Sequence, residues 1–278
     1  MPKRRALLAG LAAGTAALAL PDRKSLAQSC SKVVAWEQDG PGGDIEPVAF
    51  DPYRVAALFP PLKPNINLPD PLPDFATALV DTAHAFDGLD RWTEKGQAAI
   101  TAMLGLFWMG FTVCCPDHCR PSRAGCPKGC QYNSFCAAGV AYSAALAFAK
   151  ANRAGTDVRT LRKYLRVVKL YNFYPSPSVP DMQEVAYGTR IWPSGRRLWQ
   201  STGATPKAGW LVVYHLHAPA DHVGIVLDAK AGALDTFEFN VGNPEHKGGG
   251  TIHHCTRPID HTVMGYIDTT TRPVLPIH

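Results

Sequence analysis

The sequence lacks the short motifs that mark several common enzyme classes. It contains no glycine-rich phosphate-binding loop, no dinucleotide-binding fingerprint and no serine-centred nucleophile elbow. These absences argue against nucleotide-dependent chemistry and against a serine hydrolase. No internal repeat is visible, and we expect no cofactor. With 278 residues, 46% of them hydrophobic, the chain is long enough to bury one sizeable core.

Beyond its N-terminal segment, the chain also lacks a surplus of basic residues. The whole chain has a formal net charge of +5, but residues 1–27 carry five Lys or Arg and one Asp. The rest of the chain has 23 basic and 22 acidic residues, a net charge of +1. Its one basic cluster, "VRTLRKYLR" at 158–166, indicates the solvated face of a helix. We therefore expect no nucleic-acid partner.

Residues 1–27 have the pattern of a secretory signal peptide. A basic start is followed by an uncharged apolar run from Ala6 to Leu20 and by small residues suited to cleavage. The pair of Arg4 and Arg5 resembles the start of a twin-arginine export signal. Cys30 lies in "LAQSC", a poor match to a lipoprotein site, so we do not expect a lipid anchor. The segment predicts a periplasmic or secreted protein.

Eight cysteines in an exported chain predict disulfide bonds. Seven remain when Cys136 is set aside: Cys30, Cys114, Cys115, Cys119, Cys126, Cys130 and Cys255. Seven cysteines cannot all pair with one another, so one more thiol must be free or shared. The spacing from Cys115 to Cys130 is also compatible with zinc, but export disfavours thiolate metal sites. We therefore expect disulfides, including one at Cys255, rather than a metal.

The chain divides into three parts. We expect residues 1–27 to be the signal, residues 28–113 a Pro-rich arm and helical N-terminal extension, and residues 114–278 a cysteine-rich insertion followed by the main domain. The prolines between 60 and 73 exclude a helix there. The uncharged stretch at 96–113 is long enough for a membrane-spanning helix, but its polar residues and glycines favour a buried helix.

Helices come before strands in the predicted order. Hydrophobic spacing predicts four helices, one that starts at a capping Asp74 and others over Thr93–Val113, about Ser134–Asn152 and Thr156–Leu170. A Pro-rich, aromatic loop is expected over 171–199. Five β-rich runs follow: "GWLVVYHL", "DHVGIVLDA", "DTFEFNV", "GTIHHCT" and "VMGYIDT". This order predicts an α+β fold.

Cys136 stands apart from the other cysteines because it lies at the start of the helix in "QYNSFCAAGVAY". The N-terminus of a helix stabilises a thiolate through its unpaired N–H groups and its positive dipole end. Asn133 or Ser134 is placed to cap this helix. A small buried cysteine or one half of a disulfide is the alternative interpretation of Cys136.

A histidine and two polar residues provide partners for such a thiolate. His222 begins an apolar strand in "DHVGIVLDA", with Val223 and the alternate residues after it on the opposite face. In "DTFEFN", strict alternation places Glu238 and Asn240 on one face and the two phenylalanines on the other. Two polar groups beside an imidazole are suited to orienting it. An edge strand with a wet face is the alternative.

The order of these motifs resembles the CHAP amidohydrolase/peptidase family, within the papain-like NlpC/P60 group. The resemblance covers about residues 130–268 and consists of Cys136 in "FCAAGVAY", the turn from Pro206 to Gly209, "HVGIV", and Glu-x-Asn on the next strand. One departure is Trp210, where members of the family commonly have Asp. The cysteine-rich insertion is another.

The resemblance implies a papain-like cysteine peptidase fold, with the nucleophile-bearing helix packed on a C-terminal antiparallel β-sheet. It makes Cys136 the nucleophile, His222 the general base and acid, and Glu238 and Asn240 the groups that orient the imidazole. It implies hydrolysis of amide bonds in bacterial peptidoglycan. The backbone N–H of Cys136, with the side chain of Gln131 or Asn133, would hold the oxyanion.

Three other interpretations remain open. The strand residues His253 and Cys255 can share a metal ion because they lie on one face, whereas His253 and His254 cannot. The chain can be a disulfide-stapled, non-catalytic wall-binding or scaffolding protein. It can also be a secreted amidase toxin with another amide as substrate.

Overall fold

The computed structural model describes residues 33–34, 58–59, 70–91, 93–109, 111–112, 135–188, 198–216, 221–243 and 246–270. The helices of this part are α1 (Phe75–His84), α2 (Glu94–Gly105), α3 (Cys136–Ala151), α4 (Val158–Tyr171) and α5 (Val179–Tyr187). The strands are β1 (Val33–Val34), β2 (Phe111–Thr112), β3 (Trp199–Gln200), β4 (Leu211–Tyr214), β5 (His222–Lys230), β6 (Ala233–Asn243), β7 (His246–Pro258) and β8 (Val263–Ile267).

Six of the strands form one antiparallel sheet in the order β3-β8-β4-β5-β6-β7. All five β-rich runs of the C-terminal third are strands of this sheet, as predicted. The two short strands β1 and β2 pair separately with each other. Helices followed by an antiparallel sheet agree with the predicted α+β class.

Both faces of the sheet bury apolar side chains. Val223 and Ile225 of β5 join Phe237 and Phe239 of β6 in the core that the helices share. The opposite face holds a smaller buried cluster, made of Trp210, Val212, Tyr214, Val226, Leu234, Val263 and Tyr266. The alternation of side chains along β5 and β6 therefore separates a helix-covered face from a second buried face.

Helix α3 runs through the middle of the main core. Thirteen of its sixteen residues are buried, whereas a surface helix buries only one stripe. It contacts the neighbouring helices α1, α2 and α4 and the strands β5 and β6. The helices α1 and α2, which come from the segment assigned to an N-terminal extension, thus share one core with α3.

Capping residues set the starts of α1 and α2. The side chain of Asp74 accepts a hydrogen bond from the N–H of Thr77, as predicted. Thr93 caps α2 in the same way, through the N–H of Gly96. The prediction that this helix continues to Val113 is wrong, since α2 ends at Gly105 and β2 begins at Phe111.

The end of α2 is held by the helix that follows α3. The guanidinium of Arg162 on α4 donates to the carbonyl oxygens of Gly105 (2.7 Å) and Leu106 (3.0 Å) and lies over the ring of Trp108. The last turn of a helix leaves its carbonyls without partners inside the helix, and that of Gly105 also accepts a hydrogen bond from the N–H of Trp108 at 3.2 Å. The prediction of a solvated basic face is therefore wrong at Arg162, and at Arg166, which binds the carbonyl of Leu58.

The expected loop over 171–199 contains a helix that the sequence analysis missed. Ser178 caps α5 through the N–H of Asp181, and Pro180 lies in the first turn, where its missing N–H costs no hydrogen bond. Gly188 ends the helix in the left-handed conformation.

Within the described residues, no helix has both the length and the apolar character needed to cross a bilayer.

A glycine sets the distance between α3 and the sheet. A Cβ built at Gly139 would lie 2.4 Å from the ring of Phe239. That ring is fully buried and packs against the rings of Phe86 and Phe237, so it has little room to move. Only glycine lets the first turn of α3 approach β6 this closely.

We expect Gly139→Ala to lower the free energy of unfolding by about 1–3 kcal/mol, the usual cost of overpacking a core. The gain in helix propensity, at most about 1 kcal/mol, opposes this loss but is smaller. Urea denaturation followed by circular dichroism measures the change. Gly203→Ala is the matched control, because the nearest atom to its added Cβ lies 3.9 Å away. Equal stability of the two variants would contradict the close-packing argument.

Candidate active site

Cys136 is the first residue of α3, two positions later than the predicted start. The capping residue is Phe135, which makes no side-chain cap hydrogen bond, so the prediction of a cap at Asn133 or Ser134 is wrong. The first hydrogen bond into the helix runs from the N–H of Gly139 to the carbonyl of Phe135. Cys136 thus sits in the first turn, where N–H groups have no partner within the helix.

His222 of β5 meets Cys136, although 85 residues separate them in the chain. The two side chains are hydrogen-bonded to each other, and both residues are buried. Tyr214 pairs with His222 across β4 and β5, and the two rings stack with their centroids 5.9 Å apart. The structure therefore brings together the predicted nucleophile and the predicted base.

Glu238 holds the other side of the imidazole, as predicted. Its Oε2 lies 2.8 Å from Nε2 of His222, which leaves Nδ1 as the ring nitrogen for Cys136. Glu238 pairs with Gly224 across β5 and β6, and a Cβ at Gly224 would lie 2.9 Å from Cγ of Glu238. The glycine of "HVGIV" therefore makes the space through which the carboxylate reaches His222.

Two further residues that the sequence analysis missed complete the surroundings of Glu238. Arg257 of β7 donates from Nε to Oε1 and from Nη2 to Oε2, both at 2.6 Å. Thr236 donates its hydroxyl to Oε1 at 2.7 Å. A signal for Arg257 was present, because it alternates with His253 and Cys255 and so lies on the same face of its strand. Which strand this face would neighbour was not visible in the sequence.

Asn240 lies two residues beyond Glu238, but strict alternation does not extend to it. The register of β6 and β7 shifts between Phe239 and Val241, and Asn240 itself has a φ of 63°. Such a bulge turns a side chain away from the regular pattern of the strand. The regular alternation from which the shared face was inferred is therefore broken at Asn240, and the role of Asn240 in orienting His222 stays a prediction.

The charges of the buried groups reinforce one another. Burial by itself would lower the pKa of His222, but its hydrogen bonds to Cys136 and Glu238 outweigh burial and raise the pKa to about 9. Burial would raise the pKa of Glu238, but the hydrogen bonds from His222 and Arg257 lower it to about 2. At neutral pH the site therefore holds an imidazolium beside a carboxylate, and the imidazolium is placed to stabilise a thiolate at Cys136.

Cys255 differs from both expectations that we had for it. The structure records it as a thiol rather than as half of a disulfide. Burial, together with the charge of Glu238, raises its pKa to about 12. Its Sγ lies 3.8 Å from the carbonyl oxygen of His253, and the described residues contain no group of three or more side chains suited to a metal ion. The zinc interpretation of His253 and Cys255 thus has no further ligand in this part of the chain.

Several predicted residues lie outside the described part of the chain. They are the oxyanion candidates Gln131 and Asn133, the cysteines Cys30, Cys114, Cys115, Cys119, Cys126 and Cys130, and the signal residues 1–27. Trp210, the departure from the family pattern, is buried in the cluster on the second face of the sheet. The carbonyl of the neighbouring Gly209 accepts a hydrogen bond from Thr269.

Comparison with known proteins adds no assignment. The chain matches no family model, no curated protein and no solved structure. The resemblance to the CHAP family therefore depends on the order of the sequence motifs.

The site makes a prediction about thiol reactivity. At pH 6 iodoacetamide should modify Cys136 faster than Cys255, because the neighbouring imidazolium favours a thiolate at Cys136 whereas Cys255 stays protonated. Replacement of His222 by Ala should slow the modification of Cys136 by about tenfold or more, since few ordinary thiols are ionised at this pH. Peptide mass spectrometry measures both rates.

The slow reaction of Cys255 in the same sample is the internal control. It would become fast if the reagent modified any thiol or if the protein unfolded. Equal rates at Cys136 with and without the imidazole, in variants with unchanged circular dichroism, would contradict an activated pair.

Proposed function

We propose that the protein is an exported cysteine amidase or endopeptidase of papain-like fold that hydrolyses amide bonds in peptidoglycan. The observation that carries this proposal is the hydrogen-bonded series from Cys136 at a helix start to His222 and on to the buried carboxylate of Glu238. A nucleophile, a base and a group that orients the base are the parts that covalent amide hydrolysis requires.

The chemistry follows from the order of these groups. The thiolate of Cys136 attacks the carbonyl carbon of the amide, and the electron pair of the C=O bond moves to oxygen. As the tetrahedral intermediate collapses, the imidazolium of His222 gives its proton to the leaving amine, and a thioester remains. The now neutral imidazole takes a proton from water, which attacks the thioester. The acid product leaves, and the thiolate and imidazolium are restored.

The fixed parts of the site serve two needs of this reaction. Glu238 and the stacked ring of Tyr214 hold the imidazole in one orientation and stabilise its positive charge. The N–H of Cys136, at the positive end of α3, is the candidate donor to the oxyanion. Glu238, the ring of Tyr214 and the N–H of Cys136 are in place before substrate binds, so little reorganisation is needed during the reaction.

The choice of peptidoglycan as the substrate has a different basis. The signal-like residues 1–27 predict export to the compartment of the cell wall, and the CHAP resemblance implies wall amides. The arrangement of a nucleophile-bearing helix against an antiparallel sheet is in keeping with a papain-like fold. The catalytic groups alone are compatible with any amide that reaches Cys136.

Digestion of peptidoglycan fragments tests the proposal. Purified mature protein should release new amine ends from the fragments, detected by mass spectrometry, and Cys136→Ala should release none. Cys255→Ala is the matched control, because it removes a thiol that has no role in the reaction and should retain wild-type activity. Equal product from the wild type and Cys136→Ala would exclude the proposed mechanism.

The hydrolysis should also depend on pH in a defined direction. The imidazolium form of His222 must protonate the leaving amine, so kcat/KM should fall as the pH rises through about 9, the pKa of His222. Glu238 stays ionised across the assay range because its pKa is about 2. Initial rates between pH 6 and pH 10 measure the profile.

The Cys255→Ala variant should show the same profile as the wild type, since the pKa of Cys255 lies near 12. A rate that keeps rising through pH 10 would argue against His222 as the acid.

A further inference from the structure

We propose that Arg257 is a positioning residue, which holds the carboxylate of Glu238 ionised and facing His222 and thereby controls the reactivity of Cys136 without touching it. This inference rests on the proposed function and concerns the same site. Arg257 follows Glu238 by 19 residues, and the sequence pattern placed it on one face of its strand without showing that this face adjoins Glu238.

The geometry of the pair leaves Glu238 with one orientation. Arg257 binds both carboxylate oxygens through two different nitrogen atoms, as a bidentate pair. Oε2 is shared between Arg257 and His222, whereas Oε1 is shared between Arg257 and Thr236. A rotation of the carboxylate would break the bonds to Arg257 together with the bond to His222. The guanidinium therefore fixes the oxygen that faces the imidazole.

The burial of Glu238 makes the second charge necessary. Its side chain is fully excluded from solvent, and a buried carboxylate is stable only when it is paired. In the part of the chain that the structure describes, the cationic groups hydrogen-bonded to it are His222 and Arg257. Catalysis removes the proton from His222 in each cycle. During that step Arg257 is the cation that keeps Glu238 charged and in place.

Arg257 is itself held by an aromatic ring. Its guanidinium carbon lies 5.3 Å from the ring centroid of Tyr214, the same ring that stacks on His222. Stacking on a ring and binding two oxygens at once both require a planar, forked cation. Lysine can keep the charge at this position but not the two-point contact. The comparison of Arg with Lys thus separates orientation from charge.

The titratable groups around Glu238 come from three strands. They are Tyr214 of β4, His222 of β5, and His253, Cys255 and Arg257 of β7. When Arg257 is removed, burial raises the pKa of Glu238, because the groups that offset it are fewer. A protonated Glu238 no longer supports the imidazolium, so the pKa of His222 falls and the thiolate is less stabilised. The acid limb of Cys136 reactivity should therefore move to higher pH.

The test measures the pH profile of Cys136 alkylation by iodoacetamide and needs no amide substrate. Arg257→Met should slow the reaction at pH 6 by about tenfold and shift the acid limb upward, and Arg257→Lys should recover part of the rate. Glu238→Gln should resemble Arg257→Met. In the Glu238→Gln background, Arg257→Met should change the rate by less than about twofold, because the two residues act through one path.

A matched control separates this role from a general loss of stability. Arg166→Met removes another half-buried arginine, one that binds the carbonyl of Leu58, and should leave the alkylation profile unchanged. An unchanged profile in Arg257→Met, or an equal further loss in the Glu238→Gln background, would overturn the proposal. If Arg257→Met does not fold, Arg257→Lys decides alone. A shift of its alkylation profile that disappears in the Glu238→Gln background supports the role, and an unchanged profile overturns the proposal.

The same assays keep the two proposals apart. Coupled alkylation profiles together with no release of amine ends would remove the peptidoglycan function and keep the role of Arg257. Release of amine ends together with an alkylation profile that does not change in Arg257→Met would keep the peptidoglycan function and remove the role of Arg257.

Discussion

The buried carboxylate of Glu238 is the group on which the arrangement of the site depends. It lies behind His222 as seen from the sulfur of Cys136, in the protein interior, where a negative charge costs free energy unless cations and hydrogen-bond donors surround it. His222, Arg257 and Thr236 supply those contacts from three different positions. Each partner is thereby held in one orientation, so the requirement to satisfy one charge also fixes the imidazole that faces Cys136.

Close approach of backbone segments makes these contacts possible. Gly139 lets the start of α3 lie against the ring of Phe239, and Gly224 leaves room for the side chain of Glu238. One glycine therefore sets where the sulfur lies relative to the sheet, and the other sets where the carboxylate lies relative to the histidine. A side chain at either position would displace part of the series from Cys136 to Glu238.

Much of the fold was predictable, and the errors have identifiable causes. The starts of α1 and α2 were visible because Asp74 and Thr93 are capping residues, and the strands were visible because their alternation is regular. Helix α5 was not predicted because the prolines of this segment favour a loop, although Pro180 lies in the first turn of the helix, where a proline loses no hydrogen bond. The end of α2 was missed because an apolar run continues past Gly105 while the backbone turns.

For the site, the sequence by itself determined the chemical types and their order: a cysteine at a helix start, a histidine that opens a strand, and a glutamate on the next strand. Local periodicity carries that information because it depends on neighbouring residues. Only the tertiary structure decided that Arg257 joins Glu238, that the strand pairing is irregular at Asn240, and that Cys255 is a thiol. Pairing between distant strands decides these features, because the register of two strands is set by packing over the whole sheet and not by either segment alone.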